Sequence, residues 1–94
     1  MKRIINKPLL KEYHDMQCVV CGTTPCDADH IKTRGAGGHD HPRNLWSLCR
    51  QHHQERHMIG LGTFIHRYPH IKDDMYERDW ERIDGKWYCI GIDD

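Results

Sequence analysis

The chain has no long apolar run, no net charge, no internal repeat and no low-complexity segment. With no apolar stretch of about 18 residues it offers no membrane-spanning helix, and nothing near its N-terminus resembles a signal peptide. Its five cysteines are an odd number, which leaves a fully disulfide-paired framework incomplete. These absences favour reduced thiols in a reducing cytoplasm over a secreted disulfide scaffold. The formal net charge of +0 argues against a strongly basic nucleic-acid binder. Length is short as well: 94 residues allow one domain, 1–94, with a thin core, and chains this small commonly need a metal or a disulfide to supplement apolar burial.

What charge there is lies unevenly. Residues 1–68 hold ten Lys and Arg against six Asp and Glu, and residues 69–94 hold four against eight, so the halves carry +4 and −4. Lys32, Arg34, Arg43, Arg50 and Arg56 all fall in the basic half, within or beside a dense group of His, Asp and Cys, where phosphate neutralisation would be useful. The acidic tail reads as a solvated helix or a partner surface.

Two sets of ligand-type residues stand out. Cys18-Val-Val-Cys21 and Cys49-Arg-Gln-His52 are two short-loop pairs 28 residues apart. Four soft or borderline ligands in such pairs suit tetrahedral zinc with no position open to water, which is a structural site. Cys26 is the rival for the fourth place; His52 keeps the two-residue spacing and leaves His53 for a second ion. That second set is Asp29-His30, Asn44, and His53 with His57. A carboxylate beside an imidazole supplies one metal ligand and one general base from adjacent positions, because successive strand side chains point to opposite faces. His53 and His57 are four apart, so on a helix they share a face and grip one ion together.

Over residues 18–60 this arrangement resembles the HNH endonuclease family, whose ββα-metal motif is two short strands, a connecting loop and a helix around one catalytic metal. The resemblance implies a small, zinc-stabilised α+β nuclease with short flanking helices. It makes Asp29, His53 and His57 the catalytic metal ligands, His30 the general base, and Asn44 the residue that orients the base or assists the metal. Many members have His where this chain has Asp29, and the carboxylate favours Mg²⁺ or Mn²⁺, with Zn²⁺ or Ni²⁺ as alternatives. DNA is the implied partner, cut to 5′-phosphate and 3′-hydroxyl ends, with Lys32, Arg34, Arg43 and Arg56 as phosphate contacts. Phage packaging or recombination proteins are further partners suggested by the compact size. The rival reading is a catalytically silent zinc module that binds DNA or protein on the same scaffold.

Local signals place these residues on elements. Pro8 suits a first helical turn, predicting a helix over 8–14. Strands are predicted at 28–33 and 44–48, separated by a flexible glycine loop over 34–42 whose His39 and His41 are solvated. Residues 50–59 form the metal-bearing helix, closed by Gly60. The appendage, 61–94, is read as a helix capped by Thr63 and ended by Pro69, a second helix over 71–83, and a short strand in KWYCI. It completes the core and carries no chemistry.

Overall fold

The structure is a computed structural model and describes residues 3–92. Asn6 accepts a hydrogen bond from Leu9 N, and Pro8 sits in the first turn where its missing N–H is not needed, so α1 runs Lys7–Glu12. One 3₁₀ turn, Tyr13–Asp15, continues it and buries Tyr13. The predicted helix is present, with its last residues wound more tightly.

β1 (Cys26–His30) and β2 (Leu45–Cys49) form an antiparallel pair in which Asp29 faces Trp46 and His30 faces Leu45. The first strand begins earlier and ends sooner than the sequence suggests. Asn44 explains the early end: its side chain accepts from Lys32 N and donates to Lys32 O, taking both backbone groups that a longer ladder would use. α2 (Arg50–Ile59) follows β2 directly and ends at Gly60, whose φ of +83° is a conformation that glycine adopts without a Cβ penalty.

The same Gly60 starts α3 (Leu61–Arg67), so this helix begins before Thr63 and gains no cap from it. α4 covers Ile71–Glu77 only. The helix predicted to reach Ile83 therefore stops short. Asp79 turns the chain at φ +63°, and β3 (Trp80–Ile83) pairs with β4 (Lys86–Cys89) as a hairpin. Its two-residue turn is Asp84-Gly85, both at positive φ, which is the dipeptide that a right-twisted type I′ hairpin favours. The helical periodicity over 71–83 ran across the turn at Asp79, and cross-strand pairing of Trp80–Ile83 prevailed over it.

α3, α4 and the hairpin cover β2 and α2 with Phe64, Ile65, Ile71, Met75 and Trp80, which join Ile31, Trp46 and Leu48 in one buried cluster. Arg78 Nε donates to Leu45 O and the Trp80 indole to Arg43 O, fixing the appendage to the start of β2. Among the described residues no helix is long and apolar enough to cross a membrane.

Candidate metal centres and active site

The turn before β1 and the first turn of α2 bring Cys18, Cys21, Cys49 and His52 together, with one ligand atom from each within 4.8 Å of the others. Cys18 Sγ and Cys49 Sγ lie 3.8 and 3.2 Å from His52 Nδ1, and Cys21 Sγ lies 3.9 Å from Cys49 Sγ. A tetrahedron with zinc–sulfur bonds of about 2.3 Å and zinc–nitrogen bonds of about 2.1 Å has edges of about 3.5–3.8 Å. The four ligands fit such an ion. No disulfide joins any of the five cysteines.

Hydrogen bonds from the Thr23 hydroxyl and backbone pull the Cys21 thiol down to about 6, which favours the thiolate a metal needs. Cys26 stands apart from the cluster. It donates to Thr23 O, and burial pushes its thiol up to about 11, so it remains a neutral core residue. The His52 ring is steadied from behind by an edge contact with Tyr68, whose hydroxyl donates to Glu55.

The second centre forms where β1 meets α2. Trp46 Nε1 donates to Asp29 Oδ2 at 2.7 Å and Arg56 Nε donates to the same oxygen at 3.1 Å. Both bonds occupy Oδ2 and leave Oδ1 to face His53 and His57. Oδ1 has His53 Nε2 and His57 Nε2 each at 3.3 Å, and the two nitrogens are 3.1 Å apart. Yet among the described residues Asp29 Oδ1 is the buried side-chain oxygen or nitrogen left without a hydrogen-bond partner. An octahedral ion with bonds of about 2.1 Å has adjacent ligands about 3.0 Å apart. Three nearly equal edges around an unsatisfied carboxylate oxygen fit one face of that shell.

His53 is aimed by a residue that the sequence reading passed over. Its Nδ1 lies 3.0 Å from Asp27 Oδ2, so its Nε2 turns toward Asp29. Asp27 is two residues before Asp29 on the same strand face, and that period-2 spacing was the available signal. The Asp29 carboxylate, aided by Asp27 and opposed by burial, lifts His53 above its ordinary value.

His30, next on β1, points away from this pair. Its Nε2 sits 2.7 Å from Asp40 Oδ1 in the glycine loop. Burial opposes ionisation of Asp40, but hydrogen bonds from His30, Asn6 N and Arg3 together outweigh it and hold the carboxyl below its ordinary range. Asn44 makes its hydrogen bonds to the backbone of Lys32 and His39 rather than to His30. It closes the loop onto the end of β1. Gly38 makes that closure feasible, since a Cβ there would lie 1.7 Å from Lys32 O. The loop read as flexible is thus tied at both ends, with His39 accepting from Ile4 N and His41 from Arg43 N.

An open cleft of about 1160 Å³ runs over both Asp29 and His30, lined by Lys11, Arg34, Arg50, His53 and His57 among others. Of the four proposed phosphate contacts, Arg34 lines this cleft. Lys32 lies by Lys86, Trp87 and Tyr88 instead, and Arg43 is bonded to Asp79 and Ile90 O. Arg56 is 5 % exposed and spans Asp29 and Ile31 O, an internal brace and no phosphate contact. Removing one member of a buried, hydrogen-bonded ion pair typically costs about 3–5 kcal/mol. Arg56→Ala is therefore expected to lower stability by about that amount in urea unfolding. Arg56→Lys should recover little, because a point charge lacks the fork that spans both acceptors; a loss under about 1 kcal/mol would refute the bracing role.

Strand, loop, strand and helix, with a Cys-Cys-Cys-His cluster at the helix start and an Asp-His-His set between β1 and α2, define a small α+β protein with two groups of side chains that could each hold a metal ion. A family model described as "Putative HNHc nuclease" matches residues 9–84, and the chain belongs to this HNH nuclease family. No curated protein and no solved structure matches it.

Proposed function

We propose that this protein is a divalent-metal-dependent endonuclease that hydrolyses phosphodiester bonds in DNA, with His30 as general base and zinc in the four-ligand cluster. The observation that carries the reading is Asp29 Oδ1, buried without a hydrogen bond between two imidazole nitrogens at 3.3 Å and beside His30 on the same cleft. Leaving such an oxygen unsatisfied costs about 1–3 kcal/mol or more, and a cation at that point removes the cost.

His30 takes a proton from the attacking water, the general-base work that an imidazole nitrogen with a free lone pair can do. Asp29, His53 and His57 would hold an ion whose charge stabilises the phosphate oxygens and the departing 3′ oxygen; the carboxylate favours Mg²⁺ or Mn²⁺, while the imidazoles admit Zn²⁺ or Ni²⁺. Arg34, Lys11 and Arg50 border the cleft and receive flanking phosphates. The products carry 5′-phosphate and 3′-hydroxyl ends.

Incubating the protein with supercoiled plasmid and Mg²⁺ or Mn²⁺ is expected to yield nicked or linear DNA, with EDTA suppressing it. No cleavage under any divalent metal would favour the silent binding module. The two centres are separable by adjacent substitutions. His53→Ala is expected to abolish cleavage and keep one zinc and the melting transition, whereas His52→Ala loses zinc and the fold. Zinc content and thermal melting of both, with Cys26→Ser as a zinc-retaining control, check the assignment.

A further inference from the structure

We infer that Asp40 is a positioning residue for the base: its carboxylate accepts the Nε2 proton of His30 and so leaves Nδ1 as the nitrogen that receives the proton from water. This rests on the nuclease reading of His30 above. The contact is short, 2.7 Å, between side chains that are 11 % and 1 % exposed. A carboxylate offers no proton, so the shared one belongs to the imidazole. Nδ1 has no hydrogen bond among the described residues, and His30 lines the cleft.

A free neutral imidazole carries its proton on either nitrogen, and only one tautomer leaves a lone pair for the water. Asp40 selects that tautomer. When the water O–H bond breaks, its proton passes to Nδ1, its oxygen bonds to phosphorus, and the P–O3′ bond breaks with the electron pair leaving on O3′. The resulting imidazolium faces a carboxylate that offsets its charge.

Asp40 is itself held. Its Oδ1 accepts from Arg3 Nη1 at 2.9 Å, its Oδ2 from Asn6 N at 2.8 Å, and its own N donates to Ile4 O at 2.9 Å. Arg3 also donates to Gly38 O, and Ile4 N to His39 Nδ1. Residues 3–6 therefore form a strap across the glycine loop whose bonds converge on the carboxylate beside the base. Asp29 and Asp40 divide two tasks: one faces the ion, the other the base.

The test is Asp40→Asn, which keeps the side chain's shape but lets its amide offer a proton to His30. In single-turnover cleavage with saturating DNA and Mn²⁺, its rate is expected to fall by about a hundredfold or more. DNA affinity and zinc content should stay near wild type. In a His30→Ala background the same change should cost nothing further, because groups acting through one another are not additive. Nitrogen-15 spectra of the neutral ring should show the Nε2–H tautomer in the wild-type protein and its loss in Asp40→Asn. Wild-type cleavage by Asp40→Asn, an equal loss in both backgrounds, or an Nδ1–H tautomer in the wild type would each overturn the inference. If the wild type cuts no DNA, the nuclease reading fails and the tautomer alone decides the role of Asp40. If Asp40→Asn fails to fold, the wild-type spectrum decides it.

Discussion

Cys49→Ser is expected to abolish cooperative melting and zinc binding together. Cys49 closes β2 and precedes α2, so a zinc ion held on its sulfur would join the sheet to the helix that bears His52, His53 and His57. Structural zinc in small proteins contributes on the order of 10 kcal/mol. A whole domain is stable by about 5–15 kcal/mol, so the loss is comparable to the entire margin. Cys18→Ser should act the same way, since Cys18 is buried in both the ligand cluster and the core. Circular dichroism melts with zinc quantified on the same samples check this. A full-amplitude transition in a zinc-free variant would show that apolar packing holds the fold unaided.

The second large effect is on chemistry. His30→Ala is expected to slow cleavage by about a hundredfold or more while DNA and divalent-ion affinity persist, because it removes the base and leaves Asp29, His53 and His57 in place. Asp29→Ala should instead weaken ion binding, and excess Mn²⁺ should restore part of its activity as mass action refills the site. Restoration will be incomplete, since losing the carboxylate also leaves Trp46 Nε1 and the buried Arg56 guanidinium without their shared acceptor. Single-turnover rates across a Mn²⁺ titration separate the two cases. Equal rates for His30→Ala and wild type would move the base elsewhere. His39 and His41 are poor substitutes in this structure, because each ring accepts a backbone N–H and neither lines the cleft.

Much of the site was legible because its spacings are local. Ligands in two-residue knuckles and a His pair at i, i+4 need only a turn and a helix to meet, and both are encoded nearby. The residues that orient those ligands were harder to read. Asp27 needed the strand's period to be applied one step further. Asp40 sits ten residues from His30 in a glycine loop, between two histidines read as solvated. Arg56 looked like a phosphate contact by charge alone, yet its helical position turns it inward, three residues from His53 and one from His57.

By itself the sequence determined which side chains are available as ligands, that α2 carries His53 and His57 on one face, and that the chain is an α+β protein of the HNH kind. The first two follow from residue chemistry and short-range periodicity, and the third from the resemblance of residues 18–60 to the HNH family. Tertiary structure decided which oxygen of Asp29 stays unpaired, that Asn44 closes the loop rather than touching the base, that Arg34 and not Arg56 faces the cleft, and that 80–89 is a hairpin. Each depends on a contact between segments distant along the chain. Such contacts are fixed only when burial makes an unpaired polar group costly and the fold supplies its partner.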